Sequence, residues 1–328
     1  MSNKRQLVLD AFNNKATERV PVGFWFHFAE NELGSSYEVP AYRQQNLEGH
    51  KKFVKEFQPD FVKLMSDGYF FEPETAKFLK GIKSAEDLFN LKPISENDKW
   101  ILDQVSLVKE LTNDFGKDLF TAYNVFAPAT AFKWGVGGDK KLAELIKENQ
   151  DAVFYALSVI SQNTQVLAKA VIKEGHADGI YLSVQSIQDV SVGPDLYSEV
   201  ISPSEIAVLT AASSVGGTNI LHVCGYEGAK NNLSNFKNYP AKVINFASVV
   251  EGVSLKDGKK IFKNKAVIGG FANTKEGLLY KGSREDIQAE TKKLLADAGK
   301  TGIILGADCT VPKDIDWQRL EWVREAAK

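Results

Sequence analysis

Only two cysteines, Cys224 and Cys309, occur in the 328 residues of this sequence. So low a count excludes the disulfide framework of a small secreted domain, which depends on many paired cysteines. The N-terminal segment also lacks the apolar core and small-residue cleavage site of a secretory signal. We therefore expect a cytoplasmic protein whose two thiols are reduced and are free, metal-bound or catalytic.

Long apolar runs and an excess of basic charge are absent as well. No stretch approaches the roughly 20 apolar residues that a membrane helix needs, and the formal net charge is only -2. A nearly neutral chain exerts no long-range attraction on nucleic acid or on an anionic membrane. The sequence therefore predicts neither of them as a partner.

The composition is that of a folded α/β protein. Hydrophobic residues make up 44% and charged residues 25% of the chain, close to the globular average. Short apolar runs rich in β-branched and aromatic residues alternate with longer amphipathic stretches, which is typical of repeated βα units. Eight such runs favour a single (β/α)8 TIM barrel domain over 1–328, with an N-terminal helical extension over 4–16. The predicted strands are 20–26, 60–65, 119–125, 178–183, 218–223, 242–247, 266–271 and 301–305.

Local signals predict where several helices begin and end. Ser84 and Ser283 each precede an acidic residue by three positions, as a capping serine does. Ser202 followed by proline predicts another helix start. The helix over 151–174 is expected to end at Gly175 in a left-handed cap, and 67–117 is expected to carry two helices beside the mouth.

A His-x-Cys pair and the second cysteine form the clearest chemical motif. Side chains two apart on a strand point to the same face, so His222 and Cys224 can approach one metal ion from the end of the fifth strand. Cys309 follows the eighth strand and lies on the same rim of a barrel. The spacing, 309 − 224 = 85 positions, fits two strand ends and is too long for a zinc-finger loop.

Zinc is the metal that accepts imidazole and thiolate together, and three protein ligands leave a fourth position open for catalysis. An open position on zinc can hold a substrate thiol as the thiolate that alkyl transfer needs. The opposing interpretation is that each buried cysteine is only a small hydrophobic side chain.

The residues 221–225 and 306–309 resemble the zinc motif of cobalamin-dependent methyltransferases of the methylcobalamin:coenzyme M type, within the uroporphyrinogen decarboxylase superfamily. Further likeness at 19–22, 190–197 and 269–273 extends the resemblance over nearly the whole chain. It implies a (β/α)8 barrel, zinc, methylcobalamin or another methylated corrinoid as donor, and a small thiol as acceptor. Since no corrinoid-binding domain is evident, it also implies a separate corrinoid protein as partner.

The decarboxylase branch of the superfamily is less similar. Decarboxylases carry an arginine-rich segment after the first strand, whereas 24–32 contains no arginine. Cys309 stands where they have a histidine, and their mid-chain tyrosine is not evident in 128–132. Asp67 does resemble their strand-two aspartate. Thr310 and the strand-six end 245–248 depart from the methyltransferase pattern, which leaves the methyl acceptor open.

Other polar residues at predicted strand ends are candidates with two interpretations each. Asp67 could orient a ligand, bind a substrate amine or cap the next helix. Tyr181 could contact substrate or close the top layer of the barrel, and we take Asp67 and Tyr181 as the candidate catalytic residues. His27 fits the aromatic wall of the mouth better than a catalytic role. The same ambiguity applies to Ser183, Gln185, Tyr123 and Asn124.

The remaining candidates are weaker. Asp308 could be a fourth ligand, a support for His222 or a solvated turn residue, and Glu251 is a similar alternative. His50 and His176 are expected on the surface without a function.

Three hypotheses follow. The first is a zinc-dependent methyltransferase, the second a decarboxylase-like lyase acting on a tetrapyrrole or another carboxylate, and the third a non-catalytic barrel that binds corrinoid or metal.

Overall fold

The computed structural model describes residues 3–328, and Met1 and Ser2 of the expected domain lie outside the described residues. Within that range eight parallel strands, surrounded by helices, form a nearly closed barrel, which confirms the predicted (β/α)8 fold. Every predicted strand overlaps an observed one. The strands are β1 (Val22–Gly23), β2 (Phe61–Leu64), β3 (Phe120–Phe126), β4 (Gly179–Val184), β5 (Ile220–Val223), β6 (Val243–Phe246), β7 (Ala266–Phe271) and β8 (Ile303–Ala307).

Helices follow most strands and form the outer layer, and two of them, α3 and α4, lie in the segment 67–117 as expected. The α-helices are α1 (Lys4–Phe12), α2 (Ala41–Phe57), α3 (Pro73–Gly81), α4 (Lys99–Phe115), α5 (Pro128–Val136), α6 (Asp139–Glu148), α7 (Gln150–Lys173), α8 (Pro194–Leu196), α9 (Ser202–Ser214), α10 (Ser248–Glu251), α11 (Leu255–Ile261), α12 (Leu278–Lys281), α13 (Arg284–Ala298) and α14 (Trp317–Ala326). Short 3-10 helices cover Ala85–Asn90, Tyr226–Gly228 and Leu233–Phe236.

Hydrogen bonds pair β1 with β8. From β8 onward each strand pairs with the one that precedes it in the chain, down to β2. Within the described residues no ladder joins β1 to β2, and a buried carboxylate bridges this seam instead. Asp60 accepts hydrogen bonds from the backbone N–H of Val22 (2.8 Å) and from both terminal nitrogens of Arg19 (2.7 and 2.6 Å). A bidentate guanidinium pair of this kind is both strong and directional, so it holds the two strands together where the backbone does not.

The N-terminal helix closes the bottom of the barrel. Phe12 on α1 packs edge to face on Phe120 and Phe61, with ring centroids 5.0 and 6.2 Å apart, and these two residues begin β3 and β2. The helix ends at Phe12 with Asn13 as its C-cap, close to the end near Asn13 and Asn14 that the sequence predicts, and Asn14 adopts a left-handed conformation after it. With that end filled, ligands can reach the interior only from the C-terminal ends of the strands, the usual functional face of this fold.

The capping serines predicted at two helix starts are confirmed, and the left-handed cap expected at Gly175 is wrong. Ser84 and Ser283 both form reciprocal capping boxes. Gly175 is not left-handed, since His176 takes that conformation one position later, with φ of 61°. Glycine is needed at 175 for space, because a Cβ there would lie 2.6 Å from the carbonyl oxygen of Val171.

The α-helix α9 begins at Ser202, as expected, but Ser202 does not cap a free helix end. Ser202 is a helical residue, because a π-helical turn over Tyr197–Ile201 connects α8 to α9 without a break. The backbone N–H of Ser202 donates to the carbonyl of Tyr197, five residues earlier. This wider turn accommodates Pro203, which has no N–H for a regular helical hydrogen bond.

In the part of the chain that the structure describes, no helix combines the length and the apolar character needed to cross a membrane.

Candidate metal centre

Three potential ligands converge at the open end of the barrel. His222 lies on β5, Cys224 follows that strand directly, and Cys309 follows β8. The candidate ligand atoms of the three side chains all lie within 4.8 Å of one another. The two sulfurs are 3.9 Å apart, far longer than a disulfide. Two sulfurs each about 2.3 Å from one tetrahedral zinc ion lie about 3.8 Å apart, so the spacing suits such an ion.

The imidazole of His222 is oriented by Asn245, its register partner on β6. The Asn245 amide nitrogen donates to the carbonyl oxygens of Ile268 (3.0 Å) and Ala307 (3.3 Å), so the amide oxygen must face the other way. That oxygen lies 2.5 Å from Nδ1 of His222. Because a carbonyl oxygen only accepts, Nδ1 carries the proton and Nε2 keeps its lone pair.

Nε2 of His222 is left without a partner. The residue is 1% exposed, and no described residue forms a hydrogen bond with Nε2. Buried polar atoms without a partner are rare, and each calls for an explanation. A lone pair held beside two sulfurs by a hydrogen bond on the opposite nitrogen is the usual arrangement of a metal-ligating histidine. The residues present therefore fit a zinc ion.

The two thiols form a coupled pair. A hydrogen bond from the Cys224 thiol, together with the neighbouring His222, holds the pKa of Cys309 well below its usual value. The same hydrogen bond, with burial, raises the pKa of Cys224. A zinc ion bound between the two sulfurs would favour the thiolate form of both.

Lys63 is a residue that the sequence reasoning missed. It lies in the middle of β2, is 5% exposed, and places its ammonium 4.0 Å from the ring centroid of Tyr181. Burial lowers the pKa of Lys63 to about 8, an effect that the nearby Cys309 and Cys224 sulfurs oppose. A lysine between apolar neighbours in a buried strand was the available signal.

A cavity of about 720 Å³, including its mouth, opens onto these groups. Among residues 3–328, the basic side chains on its wall are His27, Lys63 and His222, and no arginine lines it. Of the sequence candidates, Asn124, Ser183 and Gln185 line the cavity, whereas Tyr123 does not. The wall consists of His27, Glu32, Leu33, Lys63, Met65, Phe70, Asn124, Phe126, Thr130, Trp134, Ser183, Val184, Gln185, His222, Cys224, Tyr226, Cys309 and Thr310.

Tyr181 lies beneath this cavity and does not line it. Its ring stacks on His222 with centroids 5.2 Å apart, and its hydroxyl donates to the amide oxygen of Asn245 at 2.6 Å. Burial raises its pKa well above the usual value, so the hydroxyl keeps its proton and remains a donor. The structure brings Tyr181 together with the metal-ligand candidates as a neighbour of His222.

Asp67 is fully buried and supports a cavity residue. One carboxylate oxygen lies 2.8 Å from Nδ1 of His27, and the other accepts the backbone N–H groups of Phe28 (2.6 Å) and Ala29 (3.1 Å). The carboxylate thus fixes the ring of His27, whose other edge is on the cavity wall. The sequence reasoning had not linked these two residues.

Asp308 and Glu251, the two carboxylates considered as further metal ligands, form hydrogen bonds with backbone N–H groups instead. Asp308 is buried and accepts the backbone N–H groups of Val249 and Val250 at the start of α10, and burial raises its pKa to about 6. Glu251 accepts the backbone N–H of Asn231. Neither carboxylate belongs to the ligand group, and Asp308 is not a solvated turn residue.

His50 was expected on the surface, and this is wrong, whereas His176 is exposed as expected. His50 is fully buried on the inner face of α2. Its Nδ1 donates to the carbonyl of Asn46 (2.8 Å), and its Nε2 accepts the backbone N–H of Met65 (3.0 Å). Both nitrogens are satisfied, so its role is to anchor the end of β2.

Known proteins share this architecture. The family model described as uroporphyrinogen decarboxylase (URO-D) matches residues 3–328. A methyltransferase from Methanosarcina mazei is similar in structure, with a TM-score of 0.72 at 15% identity over 99% of this chain and 98% of that one. A B12-independent methionine synthase from a Shewanella species has a TM-score of 0.56 at 11% identity, covering 94% of this chain and 97% of that one. At such identities the likeness establishes the fold alone. No curated protein sequence matches the chain.

Proposed function

The chain belongs to the uroporphyrinogen decarboxylase family, and we propose that it is a zinc-dependent methyltransferase that moves a methyl group from a methylated corrinoid to a small thiol. The observation that carries this proposal is the unpartnered, buried Nε2 of His222 beside the sulfurs of Cys224 and Cys309. The structural likeness to a methyltransferase supports it.

Zinc would be held by His222, Cys224 and Cys309, and when bound it would favour the thiolate form of a substrate at its fourth position. Asn245 and Tyr181 would keep Nε2 of His222 aimed at the ion through the hydrogen bonds to the Asn245 oxygen. Asp67 would hold His27 at the cavity wall, where its free ring edge can contact substrate. Asp67 and Tyr181 would thus act by positioning these two histidines.

Methyl transfer would be a displacement in which atoms and electrons balance. The substrate sulfur forms a bond to the methyl carbon, the cobalt–carbon bond breaks, and its electron pair stays on the corrinoid. The proton of the thiol is released to solvent when the thiol becomes a thiolate. The chain's part is to orient the sulfur and exclude competing water.

The methyl donor would reach the sulfur through the mouth of the cavity, either free or on a separate corrinoid protein. Large apolar side chains at this mouth are exposed: Leu33 by 37%, Trp134 by 37% and Tyr226 by 48%. Exposed apolar surface around a cavity is typical of a surface that another molecule covers. Reduced thiols are needed for such a site, so we also propose a cytoplasmic location.

The cavity wall disfavours decarboxylation of a tetrapyrrole. Such a substrate carries many carboxylates, which proteins usually bind with bidentate guanidinium groups. In the part of the chain that the structure describes, no arginine lines the cavity, and Lys63 is the only lysine there. The lyase hypothesis therefore lacks the cations that it requires.

Metal analysis and a transfer assay test the proposal. The purified chain should contain one zinc ion, and methylcobalamin with a panel of small thiols should yield the methyl thioether and demethylated corrinoid. Cys309→Ala should lose both zinc and activity. The proposal would be overturned if the wild type contains no zinc or if it forms coproporphyrinogen from uroporphyrinogen. Binding of a corrinoid without methyl transfer to any thiol would favour the non-catalytic hypothesis.

A further inference from the structure

We propose that Lys63 is the counter-charge for the thiolate form of the substrate, so that it selects the charged sulfur over the neutral thiol at the metal centre. This inference rests on the proposed function. Lys63 is a positioning residue in this account, because it acts on the charge state of the bound sulfur and takes part in no bond that forms or breaks.

The Lys63 ammonium group has no direct ion-pair partner among the described residues. Lys63 is 5% exposed on β2 and lines the cavity. Among residues 3–328 no carboxylate pairs with it and no oxygen accepts a hydrogen bond from it, and its close neighbours are the rings of Tyr181 (4.0 Å) and Trp25 (5.5 Å). Cation–π contacts offset only part of the loss of hydration. A buried cation of this kind is stabilised by an anion close to it, and no carboxylate of the described residues is paired with it directly.

The ammonium and the metal-ligand group line the same cavity. The ring of Tyr181, 4.0 Å from the Lys63 nitrogen, is the same ring that stacks on His222. The negative charges that most strongly favour the protonated lysine are the sulfurs of Cys309 and Cys224, followed by the carboxylate of Asp67. An anion on the fourth position of the metal would therefore lie within the field of Lys63.

Charge balance shows which form of substrate this arrangement favours. A zinc ion with two thiolates and a neutral imidazole has no net charge, so the centre together with Lys63 carries one positive charge. A third thiolate brings the sum to zero, whereas a neutral thiol leaves the buried charge uncompensated. Lys63 therefore stabilises the thiolate complex and lowers the pKa of the bound thiol.

Few other charged groups face this position. Around the cavity the titratable side chains are His27, Glu32, His222, Cys224, Tyr226 and Cys309. Asp67 and Tyr181 pack behind the wall. The carboxylate of Asp67 is committed to His27 and to two backbone N–H groups, so it is not free to neutralise the lysine.

The test uses the full-length protein loaded with Co²⁺ in place of zinc and 2-mercaptoethanol as the probe. That thiol has no charged tail, so only the sulfur can respond to Lys63. Thiolate binding is followed by the sulfur-to-cobalt charge-transfer absorption between about pH 5 and 9. Wild type is compared with Lys63→Met and Lys63→Arg, and exposed Lys80→Met is the matched control.

We expect the pH midpoint for thiolate binding to rise by about one to three units in Lys63→Met, the usual effect of one nearby charge. Lys63→Arg should remain near wild type, and Lys80→Met should match it. Should Lys63→Met fail to fold, the shift is sought in Lys63→Gln. An unchanged midpoint in a neutral variant that still binds Co²⁺ overturns this inference and leaves the proposed function intact. A wild-type chain that binds neither Zn²⁺ nor Co²⁺ overturns both.

Discussion

The amide oxygen of Asn245 lies 2.5 Å from Nδ1 of His222 and determines which imidazole nitrogen is free for a metal. The two residues are register partners on adjacent strands, and the amide cannot flip because its nitrogen donates to two backbone carbonyls. The barrel backbone thereby fixes the tautomer of a histidine at its open end.

Replacing Asn245 with leucine should weaken zinc binding without removing a ligand. The hydrogen bond that orients His222 is lost, and such supporting residues typically contribute about 10- to 100-fold to metal affinity. Competition with a chromophoric chelator measures the change, and exposed Asn97→Leu serves as the control. Equal zinc affinity in the Asn245 variant and wild type would show that the amide does not support the histidine.

Removing zinc should lower the thermal stability of the wild type. A metal that binds only the folded chain adds free energy of unfolding in proportion to the logarithm of its concentration over the dissociation constant, about 4 kcal/mol at 1,000-fold excess. Calorimetry with and without chelator measures the loss. Cys309→Ala should melt at the same temperature in both conditions, and a chelator-sensitive Cys309→Ala would place the stabilising metal elsewhere.

Lys63→Met should stabilise the metal-free protein, most strongly below about pH 8. Burial lowers the pKa of Lys63 from 10.5 to about 8, so between these values the unfolded chain binds a proton that the folded chain has lost. The penalty of the buried charge is thus fully present below about pH 8 and fades as the pH rises toward 10.5. The variant should gain up to about 3 kcal/mol at neutral pH.

Urea unfolding at a series of pH values measures this difference between Lys63→Met and wild type. If the difference in free energy of unfolding becomes smaller above about pH 8, the folded wild-type chain carries a charged Lys63 below that pH. If that difference in free energy is the same at every pH, the stabilisation comes from packing of the methionine alone.

Asp67→Asn should reduce turnover while leaving the zinc content unchanged. An amide cannot accept hydrogen bonds at both positions of the carboxylate, so the ring of His27 loses its fixed orientation. We expect turnover to fall by roughly 10- to 100-fold, as for other residues that orient a contact group. Methyl-transfer kinetics and metal analysis are the measurements, with exposed Asp118→Asn as the control. Loss of zinc in Asp67→Asn would instead indicate a collapse of the whole site.

The sequence predicted the strands and the ligand group because both depend on short-range patterns. Apolar runs define the strands, and residues such as His222 and Cys224 are recognisable as a pair at a strand end. Asn245 was not predicted, since its role depends on strand register, and register is set by the whole barrel.

Lys63 and His50 were missed for a different reason. Lysine is almost never fully buried and histidine is only intermediate in burial, so neither residue type by itself indicates a buried position. Spacing could have identified His50, which lies three positions from both Leu47 and Phe53 on the buried face of α2. The π-helical turn that joins α8 to α9 without a break at Pro203 was not predicted. Local proline and serine preferences cannot reveal that turn.

X-ray absorption at the zinc edge of the purified protein examines the proposed ligand atoms themselves. We expect two sulfur neighbours at about 2.3 Å and a nitrogen neighbour at about 2.0 to 2.1 Å, with one further light atom from solvent. One of the two sulfurs should disappear in Cys309→Ser. A coordination sphere of oxygen and nitrogen alone in the wild type would contradict the convergence of His222, Cys224 and Cys309 on one ion.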